Sequence, residues 1–330
     1  MLNTHPLIKF AEDTKPQLIV VIDTEEEFDW SAPPERENIS VSAMSKIHLV
    51  QDIFNEYGIV PCYVVDYPIA SQEQGYLPLK DYLTKGQCEI GAHLHPWVNP
   101  PFDEDVTISN MYPGNLGYAT EKKKLQILQQ QISNSFGINP QIYKAGRYGV
   151  GENTAKIMKE LGFTIDLSLC SSFDYRADGG PDFSDSPTEP FWFGDDNSLL
   201  EIPLSGAFVG VAGKMSKHLY NASGYLNIFK ARGILSRLSI VDRLMLSPEG
   251  YSTEEHIKLT RFLYNKGVRT FTWNFHSPTV VPSLTMYTKD NKQLQQFLDT
   301  FKRYFDFFLG ELSGEATTPL KLKAQLERDK

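Results

Sequence analysis

The segment at residues 18–29 constrains the fold of this chain more than any other. It opens with five consecutive apolar residues, most of them β-branched. Such a run is typical of a strand buried on both faces of a parallel sheet. Five acidic residues follow within seven positions, from Asp23 to Asp29. Because neighbouring carboxylates repel one another, solvent, a basic partner or a metal ion must offset them. In α/β enzymes the carboxyl ends of such strands carry the chemistry, so we interpret the acids as a candidate site.

The order of the predicted elements favours a barrel of alternating strands and helices. Apolar residues at helical spacing over residues 42–57 precede a predicted strand at 59–65, and the pattern continues along the chain. Further strands are predicted at 88–93, 141–145, 163–169, 199–204 and 270–276, and further helices at 77–83, 120–136, 152–161, 216–246, 252–266 and 291–309. This alternation predicts parallel strands with right-handed crossovers. About seven such units suggest a TIM-like barrel, which need not be complete.

Two irregular segments and two tails complete the predicted organisation. Residues 98–118 have the composition of a long loop, and residues 171–198 that of an excursion or small hairpin. We therefore expect a single α/β domain with loop insertions. Its predicted bounds are an N-terminal tail at 1–16, the barrel at 17–310 and a polar, frayed C-terminal tail at 311–330.

Composition excludes several classes of protein. Of the 330 residues, 41% are hydrophobic and 22% charged, which is ordinary for a globular chain. The net charge of −9 argues against a nucleic-acid partner. No apolar run reaches the length of a transmembrane segment, and residues 1–16 lack the features of a signal peptide. Three isolated cysteines fit reduced thiols better than a disulfide framework, so we expect a cytoplasmic protein.

A second informative stretch contains His93 and His95. In an extended chain, residues two apart point the same way, so the two imidazoles can converge. A His-x-His pair at the end of a strand is a common metal-ligand arrangement. Two such histidines can also simply form hydrogen bonds in a loop. The acidic strand end elsewhere in the same barrel favours the metal interpretation.

Two later segments offer further candidates. His276 comes just before Pro278, which should end the last strand, so the imidazole should lie at the strand's carboxyl end. It could be a general acid near neutral pH or a structural histidine of the core. Residues 143–149 link a strand to a helix. Their glycines allow backbone N–H groups to face a ligand, and Lys144 and Arg147 could hold a carboxylate or another anion.

Taken together and in this order, the motifs resemble those of the polysaccharide deacetylases of carbohydrate esterase family 4, and most closely the WalW-like branch associated with lipopolysaccharide biosynthesis. The resemblance covers roughly residues 18–308. The matching segments are Asp23-Thr24-Glu25, Glu89-Ile90-Gly91-Ala92-His93, the stretch from Lys144 to Gly149, and Asn274-Phe275-His276-Ser277. The resemblance implies a distorted (β/α)₇ barrel and metal-dependent removal of acetyl groups from an N-acetylated sugar or polysaccharide precursor.

The resemblance also implies a ligand set for a divalent metal, which we expect to be Zn²⁺. The family's adjacent aspartates are replaced by Asp23-Thr24-Glu25, so the metal carboxylate is Glu25 or Asp23, and we choose Glu25. Trp97 occupies the place of the family's second histidine. His93 and His95 are therefore the predicted imidazole ligands.

The remaining roles follow from the same resemblance. Asp23 is the expected base, paired with Lys144, which replaces an arginine of the family and lacks its planar fork. His276 is the expected acid toward the leaving amine. Arg147 can compensate for the lost arginine, and the Tyr148 backbone N–H is the expected oxyanion donor. Asp166 or Asp174 is the expected partner of His276. Three tryptophans either stack on a sugar or pack in the core, namely Trp97, Trp192 and Trp273.

Two alternatives stay open at this point. A glycoside hydrolase on a related barrel would use two carboxylates, such as Asp23 and Glu26, and would need no metal. A catalytically degenerate barrel would bind glycans or partners without turnover or metal. Metal analysis therefore separates the deacetylase from both.

Overall fold

The computed structural model describes residues 7–210 and 242–329. In these ranges the strands are β1 Gln17–Thr24, β2 Cys62–Val65, β3 Glu89–Leu94, β4 Ile142–Ala145, β5 Ile165–Asp166, β6 Phe191–Phe193, β7 Leu199–Glu201, β8 Gly206–Val209, β9 Asp242–Met245, β10 Thr270–His276 and β11 Glu315–Ala316. The α-helices there are α1 His48–Glu56, α2 Tyr67–Ser71, α3 Glu73–Thr84, α4 Tyr118–Phe136, α5 Thr154–Leu161, α6 Thr253–Tyr264, α7 Asn291–Phe305 and α8 Pro319–Arg328.

The main sheet curls into a half-barrel with the strand order β10-β1-β2-β3-β4-β5-β7-β6. Neighbouring strands are parallel except at the edge, where β6 runs antiparallel to β7. This arrangement confirms the prediction of a single α/β domain with a distorted TIM-like barrel. The hairpin of β6 and β7 accounts for the end of the predicted excursion at 171–198.

Among the residues that the structure describes, loop contacts rather than a strand ladder connect the far side of the sheet to β10. The Thr272 backbone N–H donates to Ser205 Oγ at 2.9 Å, and the Asn274 N–H donates to the Leu246 carbonyl at 3.0 Å. Leu246 follows β9, which pairs antiparallel with β8. Residues 242–245 are thus a strand, so the helix predicted at 216–246 is wrong there, and the rest of that prediction lies outside the described residues.

The alternation of side chains along β1 places the chain between two cores. Leu18, Val20 and Ile22 belong to the large core beneath the outer helices, whereas Ile19 and Val21 belong to the core inside the barrel. This double burial confirms the interpretation of residues 18–22 as a strand with two apolar faces. It also fixes where Asp23 and the following acids emerge, at the carboxyl end of the strand.

Helix ends follow the signals in the sequence. Ser252 and Glu255 form a capping box at the start of α6. Gly137 and Gly162 adopt the left-handed conformation that ends α4 and α5. Within the described ranges, no helix combines the length and apolar character that crossing a bilayer requires.

The segment after Gly310 is not a frayed tail. Strand β11 pairs with the start of β1, and α8 follows with Thr318 as its N-cap. Leu322 and Leu326 of this helix lie in the core inside the barrel, with 0% and 5% of their surface exposed. The expectation of fraying is therefore wrong for residues 311–329. The cause is that two leucines four residues apart are enough to bury one face of a short, otherwise polar helix.

We predict that α8 contributes to the stability of the barrel. Leu322→Ala should lower the free energy of unfolding by about 2–5 kcal/mol, because it leaves a cavity inside the core. Denaturant unfolding measures this loss. Leu320→Ala is the matched control, since Leu320 lies on the same helix and is 37% exposed. Equal effects of the two substitutions would contradict burial of this helix.

Candidate metal centre and active site

A cleft of about 290 Å³ lies at the carboxyl ends of the barrel strands. The parallel register sets His276 beside Asp23, and Lys144 beside His93. Chemically active side chains that are far apart in sequence therefore meet at one edge of the sheet. The lining includes Asp23, Glu25, Phe28, Trp30, His93, His95, Tyr112, Arg147, Tyr148, Tyr175, Glu249, Asn274, His276 and Tyr287.

Glu25, His93 and His95 form a buried cluster suited to a metal ion. The Nε2 atoms of His93 and His95 lie 3.6 Å and 3.5 Å from Glu25 Oε2. One donor atom from each residue fits within a mutual distance of 4.8 Å. Two imidazoles and one carboxylate are a frequent ligand set of catalytic zinc. The geometry thus brings together the three predicted ligands.

The protonation states of these residues fit a divalent cation. Burial lowers the pKa of His93, and burial likewise lowers the pKa of His95 to about 4, so both imidazoles are neutral near pH 7. Burial raises the pKa of Glu25, and its Oε1 atom has no hydrogen-bond partner among the described residues. A cation bound to the cluster would offset the cost of burying the ionised Glu25 carboxylate.

Both histidines are oriented by partners on their other ring nitrogen. His93 Nδ1 donates to the Lys144 carbonyl at 3.0 Å, and His95 Nδ1 donates to Glu26 Oε2 at 2.8 Å. Glu26 is held in turn by its backbone N–H, which donates to Asp66 Oδ2 at 2.7 Å. Such contacts leave each Nε2 lone pair facing the cluster, which is the arrangement found around metal-bound histidines.

Asp23 lies beside this cluster but is held by a different partner. Lys144 Nζ is 2.6 Å from Asp23 Oδ1 and 2.5 Å from Oδ2, and Asn274 Nδ2 donates to the same carboxylate at 3.3 Å. Burial acts to raise the pKa of Asp23, but the positive charge of Lys144 overrides it and holds the pKa well below the usual value. Asp23 is therefore an ionised carboxylate next to the cluster, and Glu25 is the carboxylate within it.

His276 faces Asp23 across the cleft and is supported by Glu249. His276 Nε2 lies 3.6 Å from Asp23 Oδ2, while Nδ1 donates to Glu249 Oε2 at 2.7 Å. The supporting carboxylate is thus neither Asp166 nor Asp174, and that expectation is wrong. Asp166 bonds to Ser168, and Asp174 bonds to Arg176. Burial acts to lower the pKa of His276, but Glu249, Glu25 and Asp23 together raise it to about 10.

The loop after β4 forms another wall of the cleft. Arg147 and Tyr148 both have left-handed backbone conformations, with φ of 52° and 60°. This loop can approach the cluster of Glu25, His93 and His95 because Gly146 lacks a side chain. A Cβ at Gly146 would lie 2.6 Å from His95 Cδ2. Arg147 and Tyr148 line the cleft, and Lys144 Nζ lies beneath, 4.9 Å from the centre of the Tyr148 ring.

The three tryptophans for which sugar stacking and core packing were both open are packed inside the protein. Trp97 is 2% exposed, and its ring stacks on that of His95 with 4.2 Å between the two ring centres. It therefore packs against a candidate metal ligand and does not face substrate. Trp192 and Trp273 are likewise buried. The tryptophan that lines the cleft is instead Trp30, whose ring lies 4.6 Å from that of His276. Its position directly after the acidic segment is the sequence signal that could have indicated it.

Comparisons with known proteins show that the chain is similar to several of them in structure. No family model matches the sequence, and no curated protein matches it. The chain is similar to a candidate polysaccharide deacetylase from Mycobacterium smegmatis, with a TM-score of 0.56, 14% identity and coverage of 100% of this chain and 96% of that one. It is also similar to the allantoinase PuuE, with a TM-score of 0.56, 12% identity and coverage of 98% and 93%.

A third solved structure shares part of its length with this chain. It is the 4-alpha-glucanotransferase from Thermococcus litoralis, with a TM-score of 0.52, 11% identity and coverage of 94% of this chain but 40% of that one. At these identities the likenesses show the fold. They agree with the half-barrel described above.

We predict that Zn²⁺ binding depends on Glu25 and the histidine pair. The double substitution His93→Ala and His95→Ala should abolish binding, and Glu25→Gln should weaken it strongly, as measured by titration calorimetry. Glu26→Gln should weaken it by about 10–100-fold, the usual effect of losing a group that orients a ligand. Exposed His48 provides the control substitution His48→Ala, which should bind like wild type.

Asp23→Asn decides between the two carboxylates. Because Asp23 is held by Lys144 and lies outside the cluster, this variant should retain the metal. Loss of zinc from folded Asp23→Asn, together with retention in Glu25→Gln, would reverse our assignment.

We also predict that Glu249 sets the titration of His276. In the metal-free protein, the imidazole should stay protonated well above pH 6.5, because its pKa is raised to about 10. The stabilisation that this pair gives to the fold is fully present below about pH 6.5 and is lost as the pH rises toward 10. Glu249→Gln should lower the pKa while keeping a hydrogen-bond acceptor. An NMR titration measures it, and an unchanged value in the variant would contradict the assignment.

Proposed function

We propose that this protein is a metal-dependent hydrolase that removes acetyl groups from an N-acetylated sugar or polysaccharide precursor. The observation that carries the proposal is the shared cleft. It combines a Glu25-His93-His95 ligand cluster with an ionised carboxylate and an imidazole held by a second carboxylate. Metal-assisted amide hydrolysis uses these three parts, namely a Lewis acid, a base and an acid. The sequence motifs and the likeness to a candidate polysaccharide deacetylase point to the same reaction.

The chain's own residues have separate tasks in this proposal. When bound, a divalent ion, which we propose is Zn²⁺, supplies Lewis acidity toward the acetyl carbonyl. Asp23 accepts a proton from the attacking water, and Lys144 keeps it ionised for that task. The Tyr148 backbone N–H donates to the developing oxyanion. His276 gives a proton to the leaving amine, and Glu249 keeps the imidazole protonated and correctly turned.

The glycosidase alternative receives less support from the site. It assigns catalytic roles to Asp23 and Glu26, but Glu26 is fully buried behind His95 and does not line the cleft. Asp23 is already engaged in an ion pair with Lys144. Two carboxylates on opposite sides of a glycosidic bond would have to face the same cleft.

We further propose a cytoplasmic role in the synthesis of lipopolysaccharide or another surface glycan. The motif resemblance to the WalW-like branch suggests the pathway class. Cys62, Cys88 and Cys170 are buried thiols without a disulfide, which suits a reducing compartment. Cell fractionation tests this placement, and recovery of the native protein outside the cytoplasm would contradict it.

We predict that the zinc-loaded protein releases acetate from N-acetylglucosamine oligomers. His276→Ala should lower the rate by about 10²–10⁴-fold, the usual contribution of a positioned acid or base, without loss of metal. Asp23→Asn should have an effect of similar size. An enzymatic assay for acetate measures both, and His48→Ala serves as the control with wild-type activity.

The outcomes separate the alternatives. A folded His276→Ala variant with near-normal turnover would remove His276 from the mechanism. A zinc-loaded wild-type protein that releases no acetate from any N-acetylated sugar would refute the deacetylase proposal.

A further inference from the structure

We propose that the substrate carries an anionic group, a carboxylate or a phosphate, near its acetylated amine, and that Arg147 binds this group. The inference rests on the proposed function and deepens it by naming a substrate class. It starts from a mismatch of charge within the cleft. Most charged side chains there have a partner of opposite charge within hydrogen-bond distance, whereas the carboxylate paired with Arg147, that of Asp178, lies 3.8 Å away.

The other charged groups of the cleft are matched. Asp23 is paired with Lys144 at 2.5 Å, and Glu249 is paired with His276 at 2.7 Å. Glu25 faces the two histidines with which it can bind a cation. Among the described lining residues, only the cation of Arg147 lacks a carboxylate within hydrogen-bond distance.

The contacts of Arg147 leave much of its donor capacity unused. Nη2 donates to the Tyr112 hydroxyl at 3.3 Å and lies 3.8 Å from the carboxylate of Asp178, a largely exposed residue. Nη1 contacts the Met111 sulfur at 3.9 Å, and Nε is buried with no partner among the described residues. A guanidinium has five N–H donors in a planar fork, which suits two oxygens of one anion.

The position of Arg147 is built into the fold at a cost. A left-handed backbone is unfavourable for a residue with a side chain, and such strain persists mainly at functional sites. The guanidinium also packs over the Tyr112 ring, 5.0 Å from its centre, which limits the orientation of the fork. Arg147 lines the same cleft as the ligand cluster, and the residue before it, Gly146, lies so close to the His95 ring that a Cβ there would be 2.6 Å from His95 Cδ2. A substrate amide held at that cluster would therefore bring its neighbouring substituents close to Arg147.

The test compares neutral and acidic ligands on the zinc-loaded full-length protein. The probes are N-acetylglucosamine, its 1-phosphate and its 3-O-lactyl ether (N-acetylmuramic acid), which place a phosphate or a carboxylate next to the acetylated amine. Binding is measured by titration calorimetry and turnover by acetate release. We expect both acidic probes, or the one whose anion fits, to bind about 10- to 100-fold more tightly than the neutral sugar, as for charge-assisted hydrogen bonds. In turnover the preference should appear in KM more than in kcat.

Two substitutions and a control assign this preference to Arg147. Arg147→Gln should abolish the preference for acidic ligands, and Arg147→Lys should retain part of it for phosphate but less for carboxylate, because lysine lacks the fork. Arg261→Gln is the matched control, since Arg261 is an exposed arginine already paired with Glu311 at 3.3 Å. It should keep the wild-type preference.

The result can contradict the inference independently of the proposed function. Equal affinity of the wild type for neutral and acidic probes would overturn the inference, even if acetate is released from both. Equal losses for both classes of probe in folded Arg147→Gln would show that Arg147 only braces the loop, and would also overturn it. Absence of acetate release from every probe and from the N-acetylglucosamine oligomers would refute the deacetylase proposal, whereas the binding preference would still report on Arg147.

Discussion

The arrangement of the site depends on the buried ion pair between Lys144 and Asp23. Both side chains are almost completely shielded, with 1% and 3% of their surface exposed, so either charge alone would be very costly. The pair links β4 to β1, and Asn274 extends the link to β10. Because Lys144 engages both oxygens of Asp23, that carboxylate is kept charged outside the metal cluster. Glu25, two residues later, is left to face the histidines, and one acidic segment thereby supplies two different functions.

The sequence predicted those parts of the molecule that depend on local pattern. Two apolar faces identified β1. Asp23 and His276 were both expected at the carboxyl ends of parallel strands, and such ends meet at the same edge of the sheet. The His-x-His spacing was enough to predict that His93 and His95 converge, because alternate residues of a strand share one side. Gly137 and Gly162 mark the ends of α4 and α5, because the left-handed conformation at those positions favours glycine.

Features that depend on distant packing were missed. Glu249 supports His276, but it lies in a loop with no motif of its own, and only the fold brings it to β10. Sugar stacking and core packing were both open for Trp97, and only the fold shows that it stacks on His95. Helix α8 appeared too polar to be part of the barrel, although its leucines enter the interior. In each case the side chain's identity was known, and its partner was set by contacts between elements far apart along the chain.

Anomalous diffraction from crystals grown with zinc tests the central claim most directly, namely that Lys144 separates the tasks of Asp23 and Glu25. The account predicts one strong zinc peak between Glu25 Oε2 and the Nε2 atoms of His93 and His95, with Lys144 still bound to Asp23. A zinc ion coordinated by Asp23, with its bond to Lys144 broken, would contradict it. So would a peak at the alternative cluster of Glu26, Asp66 and His95, or no peak at saturating zinc.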